Sequence, residues 1–322
     1  MKRGPQRVRI GYFGKLPTRA DFIKAADNLA LVKLLDDWLA EVMNLLSADP
    51  RWKHNYDALR PLRFAFVGTR SKRAIAGHLA ASSDSSHRRY PFLSMSTIDV
   101  EQPAIFVPRS PMVLAPLWNE QDALDAEVLE ADDPAAVLQA LSSACVDVNP
   151  ADARHEREFI DFLDRHTIAA LEAMLGSAAL RRTILALGLL LQPVRRSGAE
   201  RLDKSLVLPL PAAAHQRELV ATFWMDLVVP FLQQSDFELS LFLAELRGQP
   251  SLVVGFGGAA PETLAAIIDP HSAAEQQIHF DYAGWVDELI AGDARVQKLS
   301  AYLEQGQLSL RSVQALFHET FV

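Results

Sequence analysis

Side chains that could do chemistry together occur most densely in a serine-rich turn, residues 82–86. With Asp84 and His87, this turn contains the residue types of a nucleophilic triad. Triad partners normally come from separate elements of a fold, so neighbours within one turn rarely assemble one. We therefore interpret the segment as a loop.

The best metal candidate is a helical segment with two histidines. His155 and His166 lie eleven residues apart, with Glu156 and Glu158 between them. Zinc-binding histidines on one helix are typically one turn apart, and neither histidine has a second ligand at that spacing. The pattern favours a solvated charged face, and we predict no metal site.

The strongest cofactor signal is the turn at residues 255–258, which reads Gly-Phe-Gly-Gly between a strand-like run and a helix. Free amides at the start of a helix bind phosphate. The complete dinucleotide fingerprint needs further glycines and a later acidic residue, which the sequence does not supply. Gly255 and Gly258 therefore indicate a tight turn. A small-molecule or nucleotide-binding enzyme using this turn remains the alternative function.

Longer catalytic signatures are missing from the sequence. It contains no Walker A loop, no His-Glu-x-x-His, no Cys-x-x-Cys and no Gly-x-Ser-x-Gly. Because a catalytic site needs a nucleophile, base or metal set at workable spacing, we predict no catalytic residues, no cofactor and no enzymatic activity.

Charge and cysteine content narrow the class of protein further. The formal net charge is −8, which argues against nucleic-acid binding because phosphate contacts need a surplus of Lys and Arg. The single cysteine, Cys145, excludes an internal disulfide, fits a reducing compartment and is expected to be buried. The apolar stretch at residues 168–191 is interrupted by Glu172, Arg181 and Arg182, which predicts packed helices and no transmembrane segment. Without a recognisable signal peptide, we expect a cytoplasmic protein.

Hydrophobic spacing predicts the elements that position these residues. Residues 8–13 alternate like a strand, and residues 15–18 form a turn. A helix is expected from about Asp21, because leucines and Trp38 recur at spacings of three and four as far as Asp49.

The remaining chain predicts an α/β (α+β) fold with a helical middle section and a C-terminal α/β portion that could complete the same sheet. Four prolines, Pro103, Pro108, Pro111 and Pro116, predict a connector without a long helix. Strands are expected at 62–67, 74–81, 92–98, 206–211, 237–246 and 251–256, and helices at 134–145, 155–191 with a break near 176, 213–233 and from 261.

Two segments carry a family resemblance. Residues 11–23 read Gly-Tyr-Phe-Gly-Lys-Leu-Pro-Thr-Arg-Ala-Asp-Phe-Ile, which resembles the opening signature of the TagF/ImpM family. Residues 87–93 are similar to that family's Gly-Arg-aromatic-Pro-Leu segment, with His87 where glycine is usual. Weaker similarities follow at Trp38-Leu39, at residues 61–66 and at Phe223-Trp224.

The resemblance implies both a fold and a role. It implies a longin-like N-terminal sheet-and-helix domain, which we place at residues 1–130, followed by a helix-rich C-terminal α/β domain at residues 131–322. Related proteins repress assembly of the type VI secretion system after translation by contacting a scaffold protein with a forkhead-associated domain. The expected protein is then a non-enzymatic regulator. It could also be recruited from the cytoplasm to the inner-membrane secretion apparatus. A structural component of that apparatus is the third interpretation.

The first motif also suggests where a partner would bind. Gly14 and Pro17 shape a turn, whereas Lys15 and Arg19 have no obvious duty in the core. Arg88 and Arg89 add charge beside a second turn, and Tyr90 could flank the resulting basic patch. We predict these five residues as the partner-binding site. The alternative is that the arginines only cap strand ends and pair with local carboxylates.

Overall fold

The computed structural model describes residues 4–197, 202–280 and 284–322. The first elements are β1 (Gln6–Arg9), β2 (Gly11–Gly14), β3 (Ile23–Ala25), α1 (Leu29–Leu46), α2 (Trp52–Asp57), β4 (Leu62–Gly68), β5 (Arg73–Ala80), β6 (Phe92–Asp99), α3 (Pro103–Glu130), α4 (Ala135–Ser143) and β7 (Cys145–Val148). The later ones are α5 (Ala153–Arg165), α6 (Ile168–Leu175), α7 (Leu180–Ser197), β8 (Ser205–Pro209), α8 (Ala214–Val228), a 3-10 turn (Val229–Phe231), β9 (Glu238–Leu246), β10 (Gln249–Gly255), α9 (Pro261–Ile268), α10 (Pro270–Gln276), β11 (Gln277–His279), α11 (Trp285–Gly292), α12 (Ala294–Leu303) and α13 (Leu310–Phe321).

One sheet joins strands from both ends of the chain. Within the described ranges, nine strands follow the order β11-β8-β10-β9-β4-β5-β6-β2-β3, and β1 pairs with β7 outside that sheet. Neighbouring strands are antiparallel except β8 and β11, which are parallel. Strand β4 pairs with β9 from Arg63 opposite Leu243 to Gly68 opposite Glu238. The C-terminal portion therefore completes the sheet that the N-terminal strands begin.

Helices cover both faces of this sheet, because successive side chains on a strand point to opposite faces. Phe64 of β4 packs in the core that contains Trp38 of α1. The next residue, Ala65, packs in the other core, with Trp118 of α3. Helices α1 and α9 contact each other, as do α3 and α8. The resulting α/β class is confirmed, with 52% helix and 21% strand, whereas the longin-like assignment stays a prediction.

The start of the first helix differs from the prediction. Helix α1 begins at Leu29, and Asn28 caps it by accepting hydrogen bonds from the amides of Ala30 and Leu31. Residues near Asp21 instead lead into the short strand β3, which pairs with β2. An aspartate can also cap a helix, but Asn28 lies closer than Asp21 to the leucines that recur at helical spacing, and it caps α1 instead.

The prediction that residues 103–116 cannot form a long helix is wrong. Helix α3 runs from Pro103 to Glu130 with three prolines inside it. Proline is tolerated at the first helical position, where Pro103 lies, because that amide would have no partner. Deeper in the helix each proline removes a hydrogen bond. Burial of Leu114 and Trp118, both fully inaccessible, favours the helix in spite of that loss.

The cysteine and the apolar stretch at residues 168–191 are placed as follows. Cys145 is only partly buried, so the prediction that it is buried is wrong. In the residues that the structure describes, no single helix is long and apolar enough to cross a membrane. The pair Ile168–Leu175 and Leu180–Arg195 passes that test only together and bends by 99°.

Candidate functional site

The first motif is built around a buried ion pair. The ammonium of Lys15 lies 3.0 Å from Asp84 Oδ2, with side chains 9% and 0% exposed. Asp84 lies in the serine-rich turn between β5 and β6, so that β4 and β5 separate it from Lys15 along the chain. Lys15 therefore has a duty in the core, contrary to the expectation.

Asp84 also organises its own turn. It accepts hydrogen bonds from the amides of Ser86 and Arg88 and from the Arg88 guanidinium. Burial alone would raise the pKa of Asp84, but the amide of Arg88, the ammonium of Lys15 and the amide of Ser86 outweigh burial and hold the pKa well below its usual range. The carboxylate is therefore charged at neutral pH and fixes the two motif segments against each other.

The backbone of this turn explains one departure from the family pattern. His87 takes a φ of 60°, a left-handed conformation that glycine adopts without a steric penalty. The family's usual glycine suits this position, and histidine is among the side chains that enter the region more often than most.

A second glycine lets the two motif segments approach. Gly14 has a φ of 139°, and a β-carbon there would lie 2.2 Å from the Pro91 carbonyl oxygen. Since Gly14 pairs with Phe92 in the ladder between β2 and β6, any side chain at this position would push the strands apart.

An aromatic cluster reaches the surface next to the ion pair. The ring of Phe22 stacks on Phe13 at 5.4 Å and meets Tyr90 edge-on at 4.9 Å. The Lys15 ammonium lies 4.9 Å from the centre of the same ring. Phe22 nevertheless remains 43% exposed, whereas Phe13 is 5% exposed. The motif thus holds one aromatic ring rigidly at the surface.

The five predicted site residues fall into two groups. Lys15 and Tyr90 are buried, and the Tyr90 hydroxyl donates to Asp36 at 2.6 Å. Burial, followed by this hydrogen bond, raises the pKa of Tyr90. The three arginines are accessible: Arg88 is 62% exposed in its side chain, Arg19 39% and Arg89 26%.

Each arginine has a carboxylate partner, as expected under the alternative that these arginines pair with local carboxylates. Arg19 pairs with Asp133 at 3.2 Å, and Arg89 holds both oxygens of Asp57. Arg88 bonds Asp84 and donates to the Ala20 carbonyl, two residues before Phe22. We call Arg19, Phe22 and Arg88 the Phe22 surface. Sequence reasoning missed Phe22 and Asp84. The tertiary fold determines that Phe22 is exposed and that Asp84 pairs with Lys15, and neither has a local signal in the sequence.

The alternative cofactor turn is occupied by its own contacts. The Gly258 amide donates to the Glu238 carbonyl at 2.7 Å. A β-carbon on Gly255 would lie 2.4 Å from Ser240 Oγ and 2.9 Å from Thr263 Oγ1, so glycine allows α9 to pack closely. Burial raises the pKa of Glu238. This arrangement accounts for the glycines as a tight strand-to-helix turn.

A serine, a histidine and an aspartate do meet elsewhere, without triad geometry. His78 Nδ1 and Ser94 Oγ lie 2.8 and 2.7 Å from the same atom, Asp125 Oδ2. The imidazole therefore does not take the serine proton, and Ser94 is fully buried. Among the described residues, no group of three or more His, Cys, Asp or Glu side chains is arranged to hold a metal ion.

Comparison with known proteins places the first part of the chain. Residues 11–144 match the TagF N-terminal domain, described as type VI secretion system-associated. The match indicates a type VI secretion system-associated protein. For residues 11–144, which are 134 of the 322 residues in the chain, the predicted resemblance to the TagF family is confirmed.

Other comparisons add little. No curated protein matches the chain. The crystal structure of PA0076 from Pseudomonas aeruginosa PAO1 is similar, at 24% sequence identity, over 43% of this chain and 64% of that one, which is less than two thirds of its length. Its TM-score is 0.35, too low to carry an argument.

Proposed function

We propose that this chain is a non-enzymatic regulator of type VI secretion that represses assembly by binding a forkhead-associated scaffold protein. The single observation that carries the proposal is that the family motif is folded so as to fix Phe22 at the surface, with Arg19 three residues before it and the Arg88 guanidinium bonded to the Ala20 carbonyl. Rigid aromatic rings flanked by arginine are enriched where proteins bind each other. The protein acts in the cytoplasm and is recruited to the inner-membrane apparatus through its partner.

The Phe22 surface is the centre of the proposed contact. Arg19 and Arg88 offer accessible positive charge on a chain of net charge −8, which favours a partner surface with carboxylates around an apolar side chain. Lys15 and Tyr90 belong to the same site by holding Phe22 in place from below. Arg89, held by both oxygens of Asp57, follows Arg88 in sequence and completes the proposed site.

Co-purification of the scaffold with the full-length chain tests the proposal. We expect Phe22→Ala, and separately Arg19→Glu with Arg88→Glu, to reduce recovery of the scaffold at least about tenfold, as loss of a central anchor does. Leu34→Ala is the matched control, because Leu34 on α1 is also exposed, at 48%. If the wild-type chain recovers no scaffold in mild salt, or if all variants recover it equally, the proposed contact is wrong.

A further inference from the structure

A polar cleft lies where the TagF-matched segment meets the later chain. It encloses about 430 Å³ between strands β4 and β5, helices α3 and α8, and the end of β9. Arg63, His78 and Asp122 come from the matched segment, whereas Glu218 and Leu243 come from beyond it. Clefts between two parts of a fold are common places for ligands.

One guanidinium serves two carboxylates at the floor of this cleft. Arg63 donates to Asp122 Oδ2 at 2.5 Å, to Glu218 Oε1 and to Asn119 Oδ1 at 2.9 Å. The side chains of Arg63 and Glu218 are 20% and 14% exposed. Because partly buried charges need partners, two carboxylates on one cation leave a negative charge unbalanced.

The neighbouring pair of His78 and Asp125 does not supply a positive charge to balance the second carboxylate. His78 is 4% exposed and lines the cleft, with its Nδ1 bonded to the fully buried Asp125. Its Nε2 lies 3.6 Å from Asp122 Oδ1, beyond hydrogen-bonding distance. In the part of the chain that the structure describes, Asp122 Oδ1 is buried without a hydrogen-bond partner. Native proteins rarely leave such an oxygen unsatisfied.

In the described residues, the two other arginines that line the cleft form no ion pair with Asp122 or Glu218. Arg217 donates to the carbonyls of Pro211 and Ala212. Arg60 is exposed to solvent at the edge, and within the described ranges it forms no ion pair with Asp122 or Glu218. The remaining walls are partly apolar, formed by Leu129, Leu210 and Leu243.

We propose that this cleft binds an organic cation, an ammonium or guanidinium group on a short apolar stem, with the cation at Asp122 and Glu218. Such a group balances the second carboxylate, while the stem lies along the leucines. The same chemistry could come from a free amine or from a basic side chain of a peptide. The site is separate from the Phe22 surface, so its failure leaves the proposed function untouched.

Calorimetric titration of the full-length chain at constant ionic strength tests this site. The probes are agmatine, the tripeptide Gly-Arg-Gly and the uncharged 1,4-butanediol. We expect agmatine to bind and butanediol to give no signal. Binding of the tripeptide as tightly as agmatine identifies a side chain as the natural source, and tighter binding of agmatine identifies a free amine. No binding of either cation overturns the proposal.

Two variants locate the binding. Asp122→Asn should weaken agmatine binding at least about tenfold, the factor expected for one charged hydrogen bond, whereas Asp132→Asn, just beyond the end of α3, should leave it unchanged. Should Asp122→Asn fail to fold, Ala126→Phe decides, because Ala126 lines the cleft on the exposed side of α3 and its enlargement fills the space without removing a charge. Unchanged binding in Ala126→Phe contradicts the proposal.

Discussion

At the scale of single residues, the family motif separates into buried and exposed members. Lys15 and Asp84 are buried as an ion pair, and Phe13 is buried beneath Phe22. Phe22 alone among these keeps a large accessible fraction. The motif therefore combines residues that stabilise the fold with one that stability alone does not require.

Alanine substitution of the two phenylalanines should separate these roles. Phe13→Ala is expected to lower the free energy of unfolding by about 3–5 kcal/mol, as for other buried aromatic residues. Phe22→Ala should lower it by less, about 1–3 kcal/mol, the sum for its two aromatic pairs. Urea unfolding of both variants measures the difference. Equal losses would mean that Phe22 is mainly a core residue.

The charge of Asp84 should appear in the pH dependence of stability. Its pKa is lower in the folded than in the unfolded chain, so its contribution is present above about pH 4 and is lost as the pH falls through the folded pKa. Asp84→Asn should therefore be less stable than wild type at pH 7, with the difference shrinking below about pH 4.

Urea titrations at pH 7 and pH 3 make that comparison. Asp37→Asn is the control, because Asp37 pairs with Lys33 at an exposed site, 62% and 74% exposed. A loss in Asp84→Asn that stays constant across this pH range would show that shape, and not charge, explains the role of Asp84.

The sequence singled out charged residues in two motif segments but did not show how they pair, and the partner-binding site stays a prediction. Lys15 and Arg88 were singled out by charge, and both lie in the motif region. Their common partner, Asp84, is distant from Lys15 along the chain, so only the tertiary fold reveals the pair. Charge alone could not distinguish a buried ammonium from an exposed one.

At the scale of elements, α3 shows that burial of apolar side chains can outweigh the low helix propensity of proline. Its prolines predicted a break, yet the helix continues to Glu130. Pro111 cannot donate to the carbonyl of Val107, and the Ser110 hydroxyl donates to that carbonyl instead, at 2.8 Å. Both Ser110 and Val107 are buried, so water cannot easily replace the missing donor.

Strands β4 to β6 were predicted closely, because alternation and turns are local signals.

A double-mutant cycle at Ser110 and Pro111 tests this compensation. Ser110→Ala should cost about 1–3 kcal/mol, because it leaves a buried carbonyl without its donor. In a Pro111→Ala background the same change should cost less, because the new amide can bond Val107. Unfolding free energies of the four chains give the coupling. A coupling of zero would show that Ser110 does not replace the helical hydrogen bond.

At the scale of the whole molecule, the sheet does not divide where the sequence suggested two domains. The boundary between residues 1–130 and 131–322 stays a prediction, yet β4 from the first part pairs with β9 from the second. Trp118 on α3 and Phe223 on α8 lie in one core. Strand order could not be read from the sequence, because pairing between distant strands leaves no local signal.

This shared sheet predicts a single cooperative unfolding transition. In scanning calorimetry of the full-length chain, we expect the van't Hoff and calorimetric enthalpies to agree, as for a one-unit fold. A fragment of residues 1–144 should aggregate, because removal of β9 exposes the edge of β4, and unpaired edges associate. The edge runs from Leu62 to Gly68 and is buried over most of its length. A soluble fragment with its own sharp transition would instead support an independent N-terminal domain, with the β4–β9 pairing as a contact between two units.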